Sequence, residues 1–198
     1  VAGSTGTVGV LALQGDFREH LAVLSGLGAS ARPVRRAEEL AQVSGLVIPG
    51  GESTVMDKLA RTFGLAEPLK AAIASGLPVY GTCAGLIMLA DRIANPIDGQ
   101  QTLGGFDVTV RRNAFGSQTE SFEVDLDVPE IGSPAVHAAF IRAPVIEQFG
   151  AAVAPLASLA DGRVVAARQG NLLGTSFHPE MTGEQRFHEL FLRIVAAA

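Results

Sequence analysis

The stretch Pro78-Val-Tyr-Gly-Thr-Cys-Ala-Gly-Leu-Ile-Met-Leu-Ala-Asp-Arg-Ile93 decides how this chain is read. Pro78 to Tyr80 has the apolar composition of a short buried strand, and Ala84 to Ile93 reads as a helix. Between them, Gly81-Thr82-Cys83-Ala84-Gly85 must turn the chain sharply, and larger neighbours of Cys83 would clash in such a turn. Strand, tight turn and helix in succession belong to a sheet with helices packed on it.

The same alternation extends upstream. Val8 to Leu13, Ser30 to Arg35 and Gly45 to Ile48 read as strands. Helical patterns follow over Asp16 to Leu27, Ala37 to Gln42, Thr54 to Phe63 and Pro68 to Ser75. Asp16 and Glu19 fit a capping box, Gly28 and Gly76 fit helix stops, and Pro68 suits a first helical turn. Downstream the character changes to short strands at Asp107–Val110, Ser121–Leu126 and Ala138–Ile141. Asp161-Gly162 between Leu156–Ala160 and Arg163–Ala167 signals a hairpin with a type I′ turn. Leu172 to Phe177 is a last strand, and Thr182 with Gln185 fits a capping box for a final helix. Its stripe of Phe187, Leu190, Phe191, Ile194 and Val195 has the spacing of a core-facing helix. The expected fold is α/β, a three-layer sandwich with a mixed, mainly parallel central sheet and a flavodoxin-like architecture. One domain over residues 1–198 is expected, with Val1 to Thr7 a loose terminus.

Composition narrows the function. A net charge of −5 disfavours a nucleic-acid surface, and Arg35-Arg36 and Arg111-Arg112 are pairs, not stripes. No apolar run approaches the roughly 20 residues of a membrane span. Cys83 is the only cysteine, so an internal disulfide or thiolate metal site is excluded and a reducing cytoplasm is expected. Its neighbours decide whether it is a structural or a reactive thiol.

Gly81-Thr82-Cys83-Ala84-Gly85 has the form of a nucleophile elbow with cysteine at its tip, and the helix following it favours thiolate. The alternative is a buried cysteine flanked by glycines. His178-Pro179-Glu180 follows an apolar strand. Pro179 disfavours helical backbone at His178, and residues two apart on extended chain share a side, so Glu180 can hold the imidazole. The alternative is punctuation before the last helix. Pro49-Gly50-Gly51-Glu52-Ser53-Thr54 is a third strand-to-helix turn. The amides of Gly51 and Ala84 can form an oxyanion hole there, while a plain glycine turn remains the alternative.

With these residues in view, the chain resembles the class I (triad) glutamine amidotransferases. Gly-Thr-Cys-Ala-Gly-Leu86, His-Pro-Glu180 and Pro-Gly-Gly-Glu-Ser-Thr54 carry the likeness. Leu11-Ala-Leu-Gln-Gly15 with Arg18-Glu-His20, Arg112-Asn-Ala-Phe-Gly116 and Phe140-Ile-Arg-Ala-Pro144 resemble the branch of glutaminase subunits that serve pyridoxal 5′-phosphate synthases. The resemblance implies Cys83 as nucleophile, His178 as acid/base and Glu180 as orienter. It places Gly51, Glu52, Ser53, Arg112, Ile141 and Arg142 around L-glutamine, the arginines suiting its carboxylate. It implies no cofactor, no metal, and a barrel-shaped synthase partner that takes up the ammonia. Ser117 departs from the family pattern, which has Arg before Gln118. The rival readings are a stand-alone cysteine hydrolase of γ-glutamyl amides and a catalytically silent regulatory subunit.

Overall fold

The computed structural model describes residues 6–116 and 121–198. Its first half alternates β1 (Val8–Leu11), α1 (Phe17–Gly26), β2 (Ala31–Val34), α2 (Ala37–Leu40) and β3 (Gly45–Ile48). There follow α3 (Ser53–Thr62), α4 (Ala66–Ala74), β4 (Val79–Thr82) and α5 (Ala84–Leu89). The second half is strand-rich: β5 (Ala90–Ile93), β6 (Phe106–Arg111), β7 (Ser121–Leu126), β8 (Val136–Ile141), β9 (Val145–Phe149), β10 (Ala154–Ser158), β11 (Val164–Gln169) and β12 (Leu172–Thr175). Helices α6 (Pro179–Thr182) and α7 (Arg186–Ala197) close it.

The main sheet runs β2-β1-β3-β4-β12-β11-β9-β6-β5, with β10 on β11, while β7 and β8 form a separate antiparallel pair. From β2 to β12 every pairing is parallel; β12–β11, β11–β9 and β9–β6 are antiparallel. Alternation along the strands builds a core on each face. Leu46 and Ile48 of β3, Val79 of β4 and Leu172 of β12 join the core under α3, α4 and α5. Val47, Tyr80 and Leu173, one residue on, join the core under α7. The expected stripe Phe187, Leu190, Phe191, Ile194 and Val195 lies wholly in that second core. Three layers result, as the sequence pattern implied.

Register sets the future site. Gly81 lies opposite Ile48 on one side and Gly174 on the other, and Thr82 lies opposite Thr175. The carboxyl ends of β3, β4 and β12 therefore come level, bringing the Pro49 turn, Cys83 and His178 to one edge.

Local expectations needed correction in several places. The helix expected over Ala84–Ile93 stops at Leu89, and Ala90–Ile93 is a strand paired with β6. Cross-strand partners explain the break: Arg92 donates to Thr109 Oγ1 and Asp107 Oδ1 at 2.8 Å each, and Asp91 accepts from Gly105 N–H. Strand β9 was not expected, because only Val145 and Ile146 are buried before Glu147, Gln148 and Phe149 face solvent. The hairpin at Asp161-Gly162 exists, but its turn is not type I′. Of these residues only Gly162 has positive φ, and its N–H closes on Leu159 O, a turn followed by a glycine in the left-handed region. Neither expected capping box forms. Asp16 makes no side-chain cap, and Thr182 Oγ1 bonds to Pro179 O while the helix restarts at Arg186 after left-handed Gly183. Of the segment read as a loose terminus, residues 1–5 lie outside the described residues, whereas Thr7 O is bound by Ser44 N–H at 2.8 Å.

Candidate active site

Cys83 sits between β4 and α5 at φ 49°, ψ −101°, a region costly for any residue with a Cβ. Packing holds it there. Its N–H donates to Thr175 O at 2.8 Å, and its carbonyl accepts from Ile87 N–H at 3.2 Å. A Cβ on Gly81 would lie 2.6 Å from the Gly85 carbonyl carbon, and one on Gly85 only 2.0 Å from Ile48 O. Both flanking glycines are thus required by backbone approach, the reason given for the motif from sequence.

His178 ends the β12 segment and is the N-cap of α6. The His-x-Glu contact is present, with His178 Nδ1 2.8 Å from Glu180 Oε1. Its geometry differs from the extended chain expected: Pro179 and Glu180 already belong to α6, and the contact is made across a helix start. Because Nδ1 is occupied by the carboxylate, Nε2 is the nitrogen left for the thiol. Burial acts to lower the His178 pKa, but hydrogen bonds and charge from Cys83 and Glu180 outweigh it and push it up to about 11. Imidazolium is therefore the favoured state beside these acidic groups. Asp16, read from sequence as a helix cap, instead brings Oδ2 to 3.6 Å from His178 Nδ1. Burial raises its pKa, with the His178 charge opposing.

The turn after β3 approaches from the third side. Gly50 O accepts from Asp16 N–H at 3.1 Å, so the N–H of the same trans peptide, on Gly51, points the opposite way. Gly51 has φ 151°, and a Cβ there would meet Gln14 Oε1 at 2.5 Å. Gly51 and Ala84 line one cleft of about 490 Å³ together with Cys83 and His178. As the first residue of α5, Ala84 offers an N–H with no intrahelical acceptor.

The far end of the cleft carries charge. Glu52, the N-cap of α3, accepts from Thr54 N and Oγ1 at 3.1 and 2.8 Å, and its Oε1 lies 3.6 Å from Arg112. Burial acts to raise the Glu52 pKa, but these bonds with Arg112 and Arg142 hold it below the usual value. Arg112 is itself buried, its backbone paired in both directions with Asn95. Arg142 has φ 47°, and Ile141 before it is exposed. Ser53 is buried and accepts from Gln100 Nε2 at 3.0 Å. Every residue singled out from sequence except Glu180 lines this cleft, and Glu180 stands behind His178.

Sequence reading missed Gln14, Asp16 and Asn113, which also line it. Gln14 Oε1 accepts from Glu52 N–H at 2.8 Å. Asp16 carried no such signal, because its capping pattern offered a sufficient local explanation. Asn113 has φ 47°, which nothing in the local sequence announces. The Ser117 departure lies outside the described residues. A larger hollow of about 750 Å³ near Arg35, Arg36 and Phe63 contains neither a thiol nor a histidine.

A tightly held elbow cysteine at the carboxyl edge of a mixed sheet, faced by a carboxylate-bound imidazole, defines a cysteine-hydrolase class of site. The chain belongs to the SNO glutamine amidotransferase family, whose model matches residues 10–197. It is 70% identical over 191 residues to a protein of Clavibacter sepedonicus named pyridoxal 5′-phosphate synthase subunit PdxT, covering 96% of this chain and 91% of that one. The likewise named protein of Streptomyces avermitilis is 59% identical over 194 residues, covering 98% and 96%. A crystal structure of a glutamine amidotransferase superimposes with a TM-score of 0.89 at 47% identity, covering 96% of this chain and 100% of that one.

Proposed function

We propose that the chain is the glutaminase subunit of a pyridoxal 5′-phosphate synthase. It hydrolyses L-glutamine to L-glutamate and ammonia, and a barrel-shaped synthase subunit consumes the ammonia. The observation that carries this reading is Cys83 in the strained elbow, facing an imidazole whose Nδ1 is held by Glu180 at 2.8 Å.

The Cys83 thiolate attacks the side-chain amide carbon of glutamine, and the carbonyl π electrons move onto oxygen. The N–H groups of Ala84 and Gly51 receive that oxyanion, a contribution of about 10²–10³ in turnover for each donor. Imidazolium at His178 gives its Nε2 proton to the leaving nitrogen, the C–N bond breaks, and ammonia departs from a thioester. Neutral His178 then takes a proton from water, the resulting hydroxide attacks the thioester, and glutamate leaves as thiolate and imidazolium are restored. Glu180 keeps Nδ1–H directed inward through both steps. Arg112 and Arg142 take the α-carboxylate of glutamine, and Glu52 takes its ammonium group.

The net charge of −5 and the single cysteine favour a cytoplasmic enzyme that binds no nucleic acid, and among the described residues no helix is long and apolar enough to cross a membrane. The test is glutamate release from glutamine by the purified chain, alone and with the synthase, and by Cys83→Ala. We expect Cys83→Ala to be inactive with its melting temperature nearly unchanged. Hydrolysis by that variant would remove the thioester mechanism, and preference for larger γ-glutamyl amides without a partner would favour the stand-alone hydrolase.

A further inference from the structure

Behind Glu180 lies a buried polar cluster that the reaction above leaves unused. His20 of α1 and His188 of α7 are both fully buried, and His20 Nδ1 is 2.8 Å from His188 Nε2. On its other side, His20 Nε2 lies 3.1 Å from Thr82 Oγ1 and 3.6 Å from Glu180 Oε1. Among the described residues, His188 Nδ1 and Glu180 Oε2 have no hydrogen-bond partner. Both rings are neutral at ordinary pH. Burial drives the His20 pKa well down, with His188 and His178 adding to it, and burial brings His188 to about 4 against the opposing charge of Glu184.

Two neutral imidazoles that share one hydrogen bond have two proton arrangements. If His20 donated from Nδ1, its Nε2 lone pair would face the Glu180 carboxylate at 3.6 Å. His188 would then carry its proton on Nδ1, a buried donor with no acceptor, which is the costly kind of orphan. In the other arrangement His188 donates from Nε2 to His20 Nδ1. The His20 proton then sits on Nε2, donated to Thr82 Oγ1 with Glu180 Oε1 3.6 Å away, and only a lone pair is left over at His188. The second arrangement avoids both costs.

We propose that His20 is a positioning residue for the triad: its Nε2–H, 3.6 Å from Glu180 Oε1, keeps that carboxylate turned toward His178, and His188 fixes the tautomer that allows this. The proposal rests on the reading of Cys83, His178 and Glu180 as the triad. The Glu180 side chain is wholly buried, so its placement depends on the groups that face it. These are His178 from the β12–α6 junction and His20 from α1. Asp16 contributes a further negative charge nearby, and Tyr80 from β4, its phenol pKa raised by burial, stays neutral. Tyr80 OH is spent on Thr175 Oγ1, which itself donates to Phe177 O, and the Tyr80 ring packs edge-on against His188. Without the His20 N–H, the Glu180 carboxylate is free to turn away from His178 Nδ1, and the imidazole loses its orientation.

The experiment is kcat and KM for glutamine hydrolysis, with the synthase at saturation, for the parent, His20→Leu and His20→Gln. Long-range ¹H–¹⁵N spectra of imidazole-labelled parent accompany it; with four histidines in the chain, each signal is assigned by its loss in one variant. For His20→Leu we expect about a tenfold lower kcat at a nearly unchanged KM for glutamine. His20→Gln, whose side-chain N–H₂ reaches where Nε2 does, should recover most of the lost kcat. His20 and His188 should both show the neutral Nε2–H pattern at pH 7. An unchanged kcat in His20→Leu, or a loss that His20→Gln does not recover, overturns the proposal. So does an Nδ1–H tautomer at His20 in the parent, which decides the matter even if His20→Leu fails to fold. Cys83→Ala separates the two readings: its continued activity removes the triad itself, whereas an inactive Cys83→Ala beside an unaltered His20→Leu removes only the role of His20.

Discussion

The turn after β4 and the turn after β3 both depend on glycine, yet what surrounds each glycine differs. At the elbow, added Cβ atoms on Gly81 and Gly85 would strike backbone, at 2.6 Å from Gly85 C and 2.0 Å from Ile48 O. In the Gly50-Gly51 turn the nearest atoms are side-chain ends, His178 Cε1 at 2.3 Å and Gln14 Oε1 at 2.5 Å. Among the described residues, the Gly50 carbonyl accepts one backbone hydrogen bond, from Asp16 N–H at 3.1 Å. Backbone therefore encloses the nucleophile turn on both sides, while the peptide meant to supply an oxyanion donor meets backbone on one side only, at Gly15 and Asp16, and side-chain ends on the other. The difference assigns rigidity to attack and adjustability to charge stabilisation.

The largest test of that difference is partner dependence. If the Gly50–Gly51 peptide takes its working orientation only on docking, the isolated chain lacks one oxyanion donor and is slow by about 10²–10³-fold. Such coupling also prevents ammonia from being released into water and protonated there. Steady-state glutamate production should rise by that factor when saturating synthase is added. Equal turnover in both states would mean that the second turn is as fixed as the first.

The legibility of the two turns follows from the same difference. The elbow was readable because its glycines, its cysteine and both flanking elements are contiguous in sequence. Alternation and helical spacing gave the parallel half of the sheet, including the stripe from Phe187 to Val195. The antiparallel half was harder: β5 was hidden in a helical composition, and β9 shows only Val145 and Ile146 as buried residues. Asp16 shows why the site was less legible than its triad. A capping box satisfied every local rule, and only the register of β1 beside β3 brings that loop against the Gly50 carbonyl. The His20–His188 pair joins residues 168 positions apart, a contact that no local spacing signals.

Alanine at single glycines separates the turns next. Gly85→Ala places a methyl against Ile48 O, which cannot yield without shifting β3, so we expect a loss of about 3 kcal/mol or more and little folded protein. Gly50 is not among the residues with positive φ, and its added methyl meets the His178 ring and Asp16 Oδ2. Gly50→Ala should fold, at a cost of about 1 kcal/mol, while a displaced imidazole lowers turnover by about 10²-fold. Thermal melting and kcat measured on both variants check this. Equal destabilisation by the two substitutions would dissolve the contrast.

Asp16→Asn carries the smallest expected effect and asks which part of Asp16 holds the adjustable turn. The tie to Gly50 O comes from the backbone N–H, which Asn retains, so the turn should stay in place. What is lost is a carboxylate 3.6 Å from His178 Nδ1, and that oxygen is partly exposed, so its charge is screened. Turnover should fall only a few-fold. Stability should move the other way. Burial raises the folded-state pKa of Asp16, so between its ordinary value of 3.8 and the raised one the native chain binds more protons than the unfolded chain. Stability from this group is present at low pH and lost as pH rises through the raised pKa, leaving a small native-state cost at neutrality. Removing the charge relieves that cost, by less than about 1 kcal/mol after screening. The urea midpoint of Asp16→Asn should lie slightly above the parent at pH 7, with the gap narrowing as pH falls toward 4. A turnover loss approaching that of Gly50→Ala would show that the side chain, not the backbone, positions the turn.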